Sequence, residues 1–395
     1  MKGAERMSAI VESQTLAMAE RVRQLKNAGK QVYSFTLGEP DFDTPAVIRR
    51  AALQAMEDGY THYPPVAGLP ELRLSLSAHF RDEYGLSYAP EQIVVSTGAK
   101  QSLFNLFMAL VNPGDEVVIP APYWVSYLPM VQMAGGKPVW IAAGTEKDYK
   151  ITPEDLEAAI TPQTKLFLFN SPSNPTGMVY TPEEVRGLAE VLLRHEHVFV
   201  VSDEIYALVR FGGGYLSLGA VEGLGGRVAT VNGASKAFAM TGWRVGWMGA
   251  PKAVADLCVR YQGQVTSGAN AVAQMAVVAG LQNLDCVEPM AAAFRRRCER
   301  ALKILDAPFL TVPRPQGAFY LYPDVSALFG KKSPDGRVVR TCDDVAEYLI
   351  DSAGVVTVPG TGFGTREHVR ISFAVADETL EAGLSRMVEA LNDLR

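Results

Sequence analysis

Five short runs of almost unbroken apolar residues constrain this chain most. They are "QIVVSTG" from Gln92, "DEVVIP" from Asp115, "KLFLFN" from Lys165, "HVFVVSDE" from His197 and "RVATVNG" from Arg227. A strand wetted on one side alternates apolar and polar residues. A strand apolar at nearly every position is covered on both faces, as in a parallel sheet. Helix signals lie between the runs. "AKQSLFNLFMALV" follows the first run with its apolar residues at helical spacing. "TPEEV" (Thr181–Val185) offers Thr as N-cap, Pro at the first helical position and Glu at the third, a capping box, and "TPEDL" (Thr152–Leu156) is a similar start. The alternation from about residue 50 to 280 predicts an α/β domain with a mostly parallel central sheet.

After about residue 285 the texture changes. "PMAAAFRRRCERALKIL" reads as a long helix, "GAFYLYPDV" as an alternating strand, and "DDVAEYLIDSAG" as a helix ending at Gly354. "VVTVPG" and "HVRISFA" read as further strands and "ETLEAGLSRMVEALNDL" as a closing helix. The expected organisation is an N-terminal arm over 1–30, a smaller α+β domain over 31–50 and 285–395, and a large domain over 51–284.

With 395 residues, 48% hydrophobic, the chain can bury a core without disulfides or structural metal. Its four cysteines lack any C-x-x-C spacing and read as free thiols. A net charge of −6 disfavours nucleic acid as a partner, and the run Arg295-Arg296-Arg297 reads as a solvated helix face. The N-terminus lacks an apolar core of signal-peptide type, and no run approaches a membrane helix. A cytoplasmic protein is expected.

In open α/β sheets, ligands sit outside the carboxyl ends of the strands. Asn174 follows one strand in "NSPSNPTG", Asp203 ends the next, and Lys236 follows the one after, each about one strand–helix unit from the last. Gly98 ends the first strand at a helix start. Taken singly, each residue has an ordinary reading. Asp203 suits a helix cap, Asn174 a turn, Trp124 a core, Tyr63 a loop and Arg370 a surface pair, and Lys236 could snorkel. Their conjunction suits one cleft. A lysine in an apolar wall can carry a free amine able to bind an aldehyde. A carboxylate partners a protonated pyridine nitrogen. A phosphate suits the backbone of Gly98, Ala99 and Lys100 at a helix N-terminus, with Arg244 as a fixed cation. Trp124 in "PYWVSY" offers a face for the ring.

The motifs "NSPSNPTG", "SDEIY", "GASKAFAMTGWRVGW" and "HVRISFA", with "LGEPDFDTP" and "THYPPVAGLPELR" upstream, resemble a fold-type-I pyridoxal-phosphate aminotransferase. The chain is most similar to the bacterial aspartate aminotransferases of the class I gamma type, some of which also accept prephenate. The resemblance runs from about residue 30 to the end, in family order. It implies pyridoxal 5′-phosphate bound covalently at Lys236, which also moves the proton between the substrate Cα and the cofactor. It implies Asp203 at the pyridine nitrogen, Tyr206 and Asn174 at the phenolic oxygen and Trp124 over the ring. The phosphate would lie at Gly98, Ala99, Lys100, Ser235 and Arg244. Tyr63 would reach the phosphate of a neighbouring subunit, so a homodimer with shared sites is implied. Arg370, helped by Gly38 and Asn174, would hold the α-carboxylate.

A dicarboxylic substrate needs a second cation. "QVTSGANAVAQ" (Gln264–Gln274) offers none, and the resemblance points instead to Lys100, with Ser13 and Thr15 on the arm. Aspartate with 2-oxoglutarate is the expected pair. Glu12 stands where prephenate-using relatives tend to carry a basic residue, which argues against prephenate. The alternatives are a broader aromatic, alanine or prephenate specificity, or a lyase on the same fold. A non-enzymatic regulator is disfavoured because such proteins usually add a DNA-binding domain, for which the chain has no spare length. A nicotinamide dehydrogenase is disfavoured because "GTGFG" (Gly360–Gly364) lacks a following helix and acidic partner.

Overall fold

The computed structural model describes residues 3, 7, 10 and 14–395. A seven-stranded sheet runs in the order Ile93–Ser96, Gly246–Gly249, Val228–Gly233, Phe199–Asp203, Thr164–Asn170, Glu116–Ala121, Lys137–Ala142. The last five are mutually parallel, and Gly246–Gly249 is antiparallel to both its neighbours. All five apolar runs lie in this sheet.

Successive side chains on a strand point to opposite faces. Val117, Ile119, Leu166, Leu168 and Val201 therefore pack on one side with Leu103, Leu106 and Phe107 of helix Ala99–Leu110. Val118, Phe167, Phe169 and Val200 pack on the other with Leu188, Val191 and Leu192 of helix Pro182–Arg194. Both predicted capping boxes form, at Thr152 with Asp155 and at Thr181 with Glu184.

Another core gathers around Phe294, Phe319, Leu349, Ile371, Phe373 and Leu384, and it includes Phe35 from upstream of the large sheet. Strand Val369–Ser372 lies antiparallel between Val358–Pro359 and Tyr320–Leu321, and Tyr33–Ser34 pairs with Val355–Val356. Helix Cys342–Ala353 ends at Gly354 in the left-handed conformation, as the glycine signalled. The stretch "GAFYLYPDV" forms a strand only over Tyr320–Leu321, because Ala318 has a positive φ of 55° and Pro323 cannot donate to a ladder. The cysteines are unpaired, and no helix among the described residues is long and apolar enough to cross a membrane.

Two readings need correction. The basic run on helix Glu288–Ile304 is not wholly solvated. Consecutive residues spread around a helix, so one of three must turn inward. Arg297 does so, 8% exposed, and pairs with Asp41 at 2.7 Å and Asp377 at 2.8 Å. The strand Gly246–Gly249 also gave no apolar signal, because close approach requires its glycines. A Cβ at Gly246 would overlap the backbone nitrogen of Ala99, and one at Gly249 would enter the ring of Tyr88. That ring is held by the hydrogen bond between its hydroxyl and Thr230 at 3.1 Å. Gly249→Ala should therefore lower stability by about 1–3 kcal/mol through overpacking. Chemical denaturation would register this as a lower midpoint at unchanged slope, and an unaltered midpoint would contradict it.

Candidate active site

The carboxyl ends of the three central strands open into a cavity of about 260 Å³. Strands Thr164–Asn170, Phe199–Asp203 and Val228–Gly233 supply its floor through Asn170, Asp203 and the short helix Ala234–Ala237 that carries Ser235 and Lys236. Gly38, Tyr320 and Arg370 enter from the other core.

The Lys236 ammonium donates to the carbonyl of Gly38 at 2.5 Å. Burial lowers its pKa to about 8, with Arg244 and Arg370 pushing the same way against Glu39 and Asp203. About a tenth of such amines are free at pH 7, and these are able to attack an aldehyde.

Asp203 is 3% exposed and forms no ion pair among the described residues. The Tyr127 hydroxyl donates to Oδ2 at 2.7 Å, and the backbone N–H of Ile205 donates to Oδ1 at 3.2 Å. Burial nevertheless raises its pKa to about 6, because these two bonds only partly replace lost hydration. Asn170, opposite Asp203 in strand register, donates to the Asp203 carbonyl at 2.9 Å and accepts from the backbone N–H of Asn174 at 3.0 Å.

Arg370 is 1% exposed. Its Nη1 donates to Oδ1 of Asn174 at 3.0 Å and its Nη2 to the Thr36 carbonyl at 2.6 Å, while Nε is buried without a partner. The guanidinium lies 4.6 Å from the Tyr320 ring centroid and 5.0 Å from that of Phe363. Tyr320 shares a hydrogen bond with the Tyr206 hydroxyl at 2.8 Å.

Gly98, at φ 88°, caps helix Ala99–Leu110, and a Cβ there would strike the Arg244 guanidinium. Arg244 takes a left-handed conformation (φ 57°) and donates to the Thr241 carbonyl at 2.8 Å. A helix N-terminus beside a fixed cation is an anion site. Lys100 lies 4.8 Å from the Trp124 ring centroid, and burial, then Arg244, lowers its pKa.

The cavity thus joins Gly38, Ala99, Lys100, Trp124, Asn174, Asp203, Tyr206, Ser235, Lys236, Arg244, Arg370 and Thr15, with Gly98 directly behind Arg244. Tyr63 lies elsewhere, 93% exposed. Ser13 and Glu12 fall outside the described residues. Sequence reasoning missed Tyr127, Tyr320 and Asn170. Tyr127 stands three residues after Trp124, and Asn170 ends its strand one unit before Asp203, so both carried a positional signal. Tyr320 in "GAFYLY" looked like core.

The donor set fits a phosphorylated pyridine aldehyde. It offers an amine of lowered pKa, a buried carboxylate wanting a cationic partner, and a helix N-terminus with an arginine for the phosphate. The Asp203 carboxyl has a pKa raised from 3.8, so its share of stability is fully present below about 3.8 and is lost as pH rises through about 6. In the cofactor-free protein, Asp203→Asn should therefore gain stability relative to wild type between pH 4 and pH 7, by up to about 3 kcal/mol. Urea denaturation at the two pH values tests this, and parallel curves would contradict it.

The chain is similar to known proteins along nearly its whole length. The family described as aminotransferase class I and II matches residues 30–387. A probable aspartate/prephenate aminotransferase of Rhizobium leguminosarum bv. phaseoli is 44% identical over 97% of each chain. The crystal structure of the aspartate aminotransferase from Rhizobium meliloti is 40% identical, covers 100% of each chain and superposes with a TM-score of 0.97. That of Thermus thermophilus aspartate aminotransferase with maleate is 41% identical, covers 99% of this chain and 100% of its own, and gives a TM-score of 0.93. With its family profile spanning most of the sequence and its relatives matching nearly end to end, the chain belongs to the class I and II aminotransferases.

Proposed function

We propose that this aminotransferase uses pyridoxal 5′-phosphate held at Lys236, with L-aspartate and 2-oxoglutarate as its main substrate pair. The observation that carries the dicarboxylate reading is a cavity lined by two cations besides Lys236 and the phosphate arginine, Arg370 and Lys100. One cation serves an α-carboxylate, and the second has no role with a monocarboxylic amino acid. The relative and the two solved structures described above carry aspartate in their names, which supports the same reading.

When bound, the cofactor supplies an electron sink for the bond broken at the substrate Cα. The chain's residues do the rest. Lys236 would hold the cofactor through its amine and, as a free base, would carry the proton taken from the substrate Cα. Asp203, steadied by Tyr127, holds the proton on the ring nitrogen. Tyr206 and Asn174 hydrogen-bond the phenolic oxygen, and Trp124 covers the ring. The backbone of Gly98, Ala99 and Lys100 at the helix N-terminus, with Ser235 and Arg244, would hold the phosphate and leave the Lys100 ammonium free. Arg370, with Asn174 and Gly38, orients the α-carboxylate so that the Cα–H bond faces Lys236. Lys100, Thr15 and Ser13 bind the distal carboxylate. The donor leaves as a 2-oxo acid, and a second oxo acid collects the amino group, giving ping-pong kinetics.

The division into arm (1–30), small domain (31–50 and 285–395) and large domain (51–284) is part of the same reading, supported by the separate core that unites Phe35 with residues after 285. So is a cytoplasmic homodimer. Tyr63, Met56 and Leu53 are exposed, and a second copy would cover them.

An amino-donor panel tests the substrate. Aspartate should shift the bound cofactor's absorbance from about 360 or 430 nm towards about 330 nm far faster than alanine, phenylalanine or, as amino product, the prephenate partner. Lys100→Ala should slow the aspartate half-reaction roughly ten- to hundred-fold, the worth of one charge-assisted hydrogen bond, and barely alter alanine. Equal losses for both donors would move Lys100 to the phosphate, and faster conversion by alanine would refute the dicarboxylate assignment.

A further inference from the structure

The first turn of helix Gln14–Asn27 reaches the active site: Thr15 and Leu16 line the cavity. The helix is anchored through its later turns. Val22 and Leu25 are buried against Val356, with Met18 and Ile350 alongside. Those contacts do not reach the first turn, and Leu16 is largely exposed.

Gln14 makes the connection. Its Nε2 donates to the Thr361 hydroxyl at 2.8 Å, and that hydroxyl donates to Oδ1 of Asp343 at 3.0 Å. The Gln14 side-chain Oε1 is buried against Gly362, where a Cβ would strike it, and has no partner among the described residues. Thr361 and Gly362 belong to the turn Gly360–Phe363, and Phe363 packs against the Arg370 guanidinium. One short turn therefore supports both the start of the arm helix and the wall behind Arg370.

We propose that Gln14 is a positioning residue whose hydrogen bond to Thr361 seats Thr15 and Leu16 over the cavity and so sets the KM for the dicarboxylic substrate. The proposal rests on reading the cavity as an amino-acid site. A side chain ordered over a bound substrate must be held there before or during binding, and one well-placed hydrogen bond shortens that search. Gln14 is not among the residues lining the cavity, so it acts through its helix neighbours Thr15 and Leu16.

The test uses the holoenzyme and the variants Gln14→Ala, Thr361→Val and their combination. Each single change should raise KM for aspartate roughly three- to ten-fold, the worth of one hydrogen bond. The turnover number and pyridoxal-phosphate affinity should stay within about two-fold, since neither residue touches the reacting atoms. The double variant should be no worse than either single, because both remove the same bond. Amide hydrogen exchange at Met18 and Ala19, next to the first turn, should be faster in all three variants than in wild type. An unchanged KM in Gln14→Ala, or KM factors that multiply in the double variant, would overturn the proposal. If the wild-type enzyme takes no amino group from aspartate, the substrate reading fails by itself. The exchange rates then decide: equal rates in wild type and variants overturn the seating role, and a common acceleration sustains it.

Discussion

A carboxylate buried without a cation is the constraint around which this molecule is arranged. Asp203 ends a central strand, almost fully buried, with a tyrosine hydroxyl and one backbone N–H as its hydrogen-bond donors. In water such a group would be solvated by several donors. Here the hydration is gone and only partly replaced, so the protonated form gains ground. A chain selected for stability alone would put an apolar residue there. Retaining the carboxylate makes sense if a cationic ring nitrogen completes it. The neighbouring features follow from that choice: an amine near neutrality at Lys236, an anion site at Gly98 and Arg244, and a polar wall of Asn170, Asn174 and Tyr206.

The parallel sheet makes this placement possible. Strand ends in register bring Asn170 beside Asp203 and carry Lys236 one strand further along. The antiparallel strand Gly246–Gly249 then returns the chain so that Arg244 lies against Gly98. Its Gly246 is required by the closeness of Ala99 at the start of helix Ala99–Leu110, so backbone packing and the anion site are one problem solved at one place. The second core contributes Arg370 and Gly38, which means the site is complete only where the two cores meet.

How legible this was depended on the kind of signal. The five apolar runs, the capping boxes at Thr152 and Thr181 and the glycine stop at Gly354 are local, and each became the expected element. The residues at strand ends were also legible, because their order and spacing follow from topology. The rest depended on contacts between distant segments. Nothing local in "RRR" says that Arg297 turns in to meet Asp41 and Asp377. Nothing in "GWMG" says strand, since its glycines answer to Ala99 and Tyr88. Tyr127 was hidden because a tyrosine among apolar neighbours looks like core until its hydroxyl is seen on Asp203. The arm was half legible: Thr15 could be named from resemblance, but the bond from Gln14 to Thr361 joins positions 347 residues apart.

The state of the cofactor's ring nitrogen tests the central claim most directly. With ¹⁵N-labelled pyridoxal phosphate bound, nuclear magnetic resonance reads whether that nitrogen carries a proton. Asp203 should keep it protonated from pH 6 to pH 9, and Asp203→Asn should let it lose the proton within that range. A nitrogen already unprotonated in the wild-type enzyme at pH 7 would mean that the buried carboxylate serves some other partner.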